Sequence, residues 1–106
     1  MINSHIILNA FEAAKSATNN HIVQHGEYPL GCGFAWVVAR VRGNSKDGKT
    51  LKMYGFQKRY SGSGLMLWNP SQCMTQDMEA KYEGAKAFAK ILRDAGIDAQ
   101  AECRLD

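Results

Sequence analysis

Phe34-Ala35-Trp36-Val37-Val38-Ala39-Arg40-Val41-Arg42 is the stretch on which the fold turns. Side chains of a strand point alternately to its two faces. One parity here is Ala35, Val37, Ala39 and Val41, all apolar and small enough for a helix to lie close. The other is Phe34, Trp36, Val38, Arg40 and Arg42, which mixes aromatic rings with positive charge. The alternation predicts a strand over Phe34–Arg42 with one face on a core and the other on something different.

The chain downstream continues in the same style. Gly43-Asn44-Ser45-Lys46-Asp47-Gly48 reads as a polar hairpin loop, and Thr50–Lys58 as a second strand. Ser61-Gly62-Ser63-Gly64 is the next turn, and Leu65–Trp68 a short third strand stopped by Asn69-Pro70-Ser71, since proline cannot donate to the ladder. Leu51, Met53, Gly55, Leu65 and Leu67 extend the core-facing set. Lys52, Tyr54, Phe56, Lys58, Met66 and Trp68 extend the aromatic-basic set.

Helical spacing flanks this block. Ser4 is a suitable N-cap, and Ile7, Ala10, Phe11, Ala14 and Ala17 form one stripe that Asn19-Asn20 should end, with His21–His25 as an optional further turn. Gly26–Gly33 reads as a loop. In the second helix Thr75 is the expected N-cap, Asp77 and Glu79 sit where the dipole favours acids, and Gly96 supplies the left-handed stop. Its buried stripe is Met78, Tyr82, Ala85, Phe88, Ala89 and Leu92. Ile97, Ala99, Ala101, Cys103 and Leu105 alternate with polar residues and predict a last strand. The expected fold is α+β, in the order α-β-β-β-α-β: an antiparallel sheet of three to four strands with two helices packed on one face.

Composition sets the outer bounds. At 106 residues, 45% of them hydrophobic and 22% charged, the chain reads as one ordinary globular domain over 1–106. No run approaches the roughly 18 apolar residues of a membrane span, and no basic start with an apolar block marks a signal peptide. Three cysteines are too few and odd in number for a disulfide framework, which points to a reducing, cytoplasmic setting.

The aromatic-basic face carries the functional expectation, on Trp36, Arg40, Arg42, Lys52, Tyr54, Phe56, Lys58 and Trp68. Three explanations stand side by side: the first helix or the 20–33 loop covers the rings, a homodimer or protein partner does, or the face binds nucleic acid by stacking and charge. Residues 40–59 hold seven bases against Asp47 alone, while the rest of the chain has six bases and nine acids, so the net +3 hides a basic segment on an acidic body. The first expectation is a non-enzymatic binding module, homodimeric, acting through protein contacts; the second is a nucleic-acid binder using the same face and the Gly43–Lys49 hairpin; the third, ranked last, is a small hydrolase or nuclease built on Cys32 or Glu79.

Other constellations are thinner. His21 and His25, four apart, could share a helix face with Cys32 nearby, but a zinc site lacks a fourth ligand. Cys32 between Gly31 and Gly33 reads as a small buried residue at a tight strand entry rather than a nucleophile. The Ser61–Gly64 turn leads into a strand, whereas phosphate loops lead into a helix. No cofactor is called for.

Three resemblances add to this reading. The helix opening Thr75-Gln76-Asp77-Met78-Glu79-Ala80 after a meander, with Asp106 at a strand end, resembles a ribonuclease H core, which implies Glu79 and Asp106 sharing magnesium. The first strand has no Asp to complete that set. The α-β-β-β-α order is similar to a double-stranded-RNA-binding domain, which implies bases at the start of the second helix; Thr75–Lys81 is acidic instead. Cys32-Gly33-Phe34-Ala35-Trp36-Val37, Asn69-Pro70-Ser71, Thr75-Gln76 and Lys81 through Ala89 resemble small tailed-phage accessory proteins. That likeness implies action in the host cytoplasm by occupying a host protein.

Overall fold

The computed structural model describes residues 2–26, 32–59, 62–75 and 77–105. In chain order these form α1 (Ser4–His25), β1 (Gly33–Ala39), α2 (Lys46–Met53), β2 (Gln57–Lys58), β3 (Leu65–Trp68), α3 (Met78–Asp94) and β4 (Ala99–Leu105). The fold is α+β: three helices and a four-stranded antiparallel sheet of order β2-β3-β1-β4, with α1 and α3 packed together against it. No helix among the described residues is long and apolar enough to cross a membrane.

The parity of β1 predicts its core face well. Ala35, Val37 and Ala39 are buried under the helices together with Leu65 and Leu67 of β3 and Ala99 of β4. Their partners in register are Val37↔Leu67 and Ala39↔Leu65 on one side, and Val37↔Ala101 and Ala39↔Ala99 on the other. Val41 lies beyond the strand end and is partly buried against the same core.

Phe88 of α3 is the hub of the core. It is fully buried, with the Phe11 ring edge-on at 5.0 Å and the Phe56 ring tilted at 5.9 Å. The two long helices meet where α3 presents Gly84. A methyl group there would overlap Thr18 Oγ1 and lie 3.0 Å from the Ala14 carbonyl oxygen and from Ser71 Cβ. The Thr18 hydroxyl donates to the Ala80 carbonyl at 2.7 Å across this crossing. Gly84→Ala should therefore destabilise the fold by about 1–3 kcal/mol from overpacking, although helix propensity alone favours alanine by about 1 kcal/mol. Urea unfolding decides it: an unchanged or raised midpoint would show that the helices can separate without cost.

Helix ends depart from expectation by a residue or two. Asn3, not Ser4, caps α1, its side chain accepting from the Ile6 N–H at 3.0 Å. Asp77, not Thr75, caps α3, because its carboxylate accepts from both Glu79 and Ala80 N–H groups, while Thr75 Oγ1 takes the Asp77 N–H. α1 does not end at Asn19-Asn20. Those side chains are exposed while Thr18 is buried and His21 half-buried, so packing carries the helix to Gly26, which closes it at φ 75°. Most of the expected 26–33 loop lies outside the described residues.

The largest correction concerns the second strand. Lys46–Met53 is helical, and only Gln57 and Lys58 extend, pairing with β3 instead of β1. β1 and β3 are direct neighbours, so the hairpin-linked meander is not formed. The reason is local: Ser45 Oγ accepts from the Gly48 N–H at 3.0 Å and Asp47 occupies the first turn, which starts a helix where the sequence reads as a loop. Leu51 then buries the single apolar contact that the short helix needs, and Met53, core-facing in an alternating strand, points to solvent at 79% exposure.

Candidate anion-binding groove

α2 changes what the sequence-predicted site residues can do together. The Arg42 carbonyl accepts from the Ser45 hydroxyl at 2.6 Å and from the Ser45 N–H at 3.1 Å, turning the chain sharply after β1. The following helix runs back so that Lys52 lies over Gly43. A Cβ on Gly43 would come within 2.7 Å of Lys52 Nζ, the flexible end of that side chain, so the ammonium group lies directly against the turn. Gly64, at φ 102°, lets the turn before β3 approach Ala39, whose carbonyl oxygen would lie 2.7 Å from an added Cβ.

These close approaches build an open groove of about 490 Å³ at one end of the sheet. Arg40, Arg42, Lys52 and Lys58 line it, over the aliphatic floor of Val41 and Leu65 and beside Gly43, Ser63 and Gly64. Arg40 is partly neutralised by Asp98, 3.4 Å away. Arg42, Lys52 and Lys58 make no ion pair with any described residue. The described lining offers positive charge and hydrogen-bond donors, which suits binding an anion.

The aromatic residues separate from the bases. Trp36 and Trp68 stand opposite each other on the outer sheet face with ring centroids 4.9 Å apart, and Phe34 meets Trp68 edge-on at 5.9 Å. Phe34 and Trp68 are 40% and 41% exposed. Trp36 is half-buried, and its indole N–H donates to Glu102 Oε1 at 2.9 Å. Two expected members leave this face. Phe56 is in the core against Phe88, and Tyr54 caps α2 while packing on the core. Lys58 is opposite Leu65 and so shares the helix-side parity, and Lys52 is on a helix. The physical reason is the same in each case: once Lys46–Met53 coils, a continuous Thr50–Lys58 strand is not formed, and parity counted along it no longer sets the face of these residues.

Glu102 and Arg59 are the functional neighbours that pattern reading missed. Arg59, just after one edge strand, reaches across the outer face to Glu102 on the other, Nη2 to Oε1 3.7 Å. The Gln100 amide donates to the second Glu102 oxygen at 2.8 Å. Val38 and Met66 are buried although they belong to the outer parity. α1 lies on the other side of the sheet with α3. Lys81 was equally silent in sequence: its ammonium is buried, donates to the Gly33 carbonyl at 2.8 Å and lies 5.7 Å from the Phe34 ring centroid.

The remaining constellations do not assemble. His21 and His25 stack at 4.7 Å, but no group of three potential metal ligands forms among the described residues. Cys32, expected to be buried at the strand entry, is exposed instead and forms an isolated backbone β-bridge with Asp77. Glu79 is solvent-facing with His21 Nε2 3.9 Å away, and its imagined partner Asp106 lies outside the described residues. No family model matches the chain, and neither a curated protein nor a solved structure matches it.

Proposed function

We propose that this protein is a non-enzymatic binding module whose ligand is single-stranded nucleic acid. One observation carries the reading: four bases from a strand end, a turn, a helix and a second strand converge on one groove. A strand threading the groove would set its phosphates against Arg42, Lys52 and Lys58, pass Arg40 on the outer face, and offer bases to Trp68 and Phe34 beyond. Charge that tracks the backbone plus exposed rings that accept any base is the general recipe for such sites. The protein-contact reading keeps one support, the exposed Phe34–Trp68 pair, which could anchor a host protein if the chain is a phage accessory factor. It loses Phe56 and Tyr54 as anchors, which is why it now stands second.

Fluorescence anisotropy with a labelled single-stranded oligonucleotide at low salt tests the proposal. Binding is expected, with log K falling against log salt at a slope of about −2 to −3, corresponding to three or four neutralised phosphates. A duplex of the same sequence should bind more weakly, because its bases are not free to stack. No binding at low salt with protein in large excess overturns the reading.

A further inference from the structure

The two edges of the sheet are managed differently. One edge is β2, only two residues long; the other is β4, seven residues long and without proline or lysine. Long edges of that kind are templates for another strand. The Arg40 N–H donates to the Asp98 carbonyl at 2.8 Å, which fixes the phase of β4: backbone groups of Gln100, Glu102 and Arg104 point to β1, and those of Ala101, Cys103 and Leu105 point outward. Arg93 already caps the Ala99 carbonyl at 2.9 Å, so the open edge begins at Ala101.

We infer that β4 pairs antiparallel with β4 of a second copy about a two-fold axis at Cys103. Outward backbone groups then face each other, Cys103 opposite Cys103 and Ala101 opposite Leu105. The register also matches charges. Glu102 of each copy stands opposite Arg104 of the other, on the face away from the helices. Arg104 is exposed and has no ion pair among the described residues. Moving the axis to Glu102 sets the two Glu102 carboxylates against each other, and moving it to Arg104 opposes two guanidinium groups. Centring on Ala101 needs the Ala99 carbonyl that Arg93 holds. On the helix-side face the chosen register joins Leu105, 61% exposed, to Ala101 of the second copy beside the paired cysteines, closing an apolar strip that α3 leaves uncovered. This interface differs from the Trp36–Trp68 face on which the sequence alone places a dimer, and it leaves the groove open.

Cys103 makes the test specific. Facing residues of a hydrogen-bonded pair have Cα atoms about 5.5 Å apart, within the roughly 4.4–6.8 Å that a disulfide spans. In a Cys32→Ser/Cys73→Ser background, oxidised glutathione should take two electrons and two protons from the facing thiols, giving two reduced glutathiones and a Cys103–Cys103 disulfide dimer. Sedimentation of the reduced protein without nucleic acid should show a dimer whose dissociation constant rises at least about tenfold for Arg104→Glu and changes less than about threefold for Arg104→Lys. A reduced protein that stays monomeric at high micromolar concentration overturns the inference, as does a dimer that neither cross-links at Cys103 nor responds to Arg104→Glu.

Discussion

Replacing Phe88 by alanine should lower the unfolding free energy by about 3–5 kcal/mol, the largest stability effect expected of any single truncation in this chain. Phe88 contacts rings from both α1 (Phe11) and the segment after α2 (Phe56), so its loss opens a cavity shared by three elements that cannot all collapse into it. Against a typical total of about 5–15 kcal/mol, such a loss removes a large share of the stability, and at the low end of that range nearly all of it. Chemical denaturation monitored by the two tryptophans measures it. The matching control is Met53→Ala, which should change stability by less than about 0.5 kcal/mol because Met53 faces solvent on α2. A large effect at Met53 would point back to the alternating strand, and a small one at Phe88 would contradict the core described above.

The second large effect concerns binding. Arg42→Glu combined with Lys52→Glu should weaken oligonucleotide affinity on the order of 100-fold, about 2.7 kcal/mol, while leaving the fold intact because both side chains are exposed. Lys46→Glu combined with Lys49→Glu makes the same change in net charge on the same helix, away from the groove lining. That pair should cost far less. Equal losses in the two double variants would mean that overall charge, rather than this groove, attracts the ligand. Parallel titrations at one salt concentration separate the two outcomes.

The sequence makes some of this architecture readable and conceals the rest for identifiable reasons. Strand β1, with its uninterrupted apolar parity, and helix α3, with its 3.6-residue stripe, are legible because each has many residues voting for one period. The sheet as an antiparallel unit under two long helices follows from them. α2 is not legible in that way: eight residues with one buried leucine give periodicity almost nothing to count, and the Ser45 cap is easily read as turn chemistry. The error then propagates to function. Strand parity sets Lys52, Tyr54, Phe56 and Lys58 on one face and so puts the bases among the rings, whereas the coiled segment collects the bases at the sheet end. Arg40, Arg42, Lys52 and Lys58 nevertheless line one groove, and the excess of charge between positions 40 and 59 is readable however the backbone runs. Glu102 and Lys81 were invisible, since a charged residue acquires its role from partners 43 to 66 positions away, which a single sequence does not pair.

Amide chemical-shift mapping during titration with a single-stranded oligonucleotide addresses the groove most directly. The account predicts shifts concentrated at Arg42, Gly43, Ser63 and Gly64, with the Trp68 indole following, and little change along the exposed side of α1. Shifts confined to α1, or an unperturbed Gly43–Gly64 region under saturating ligand, would contradict it.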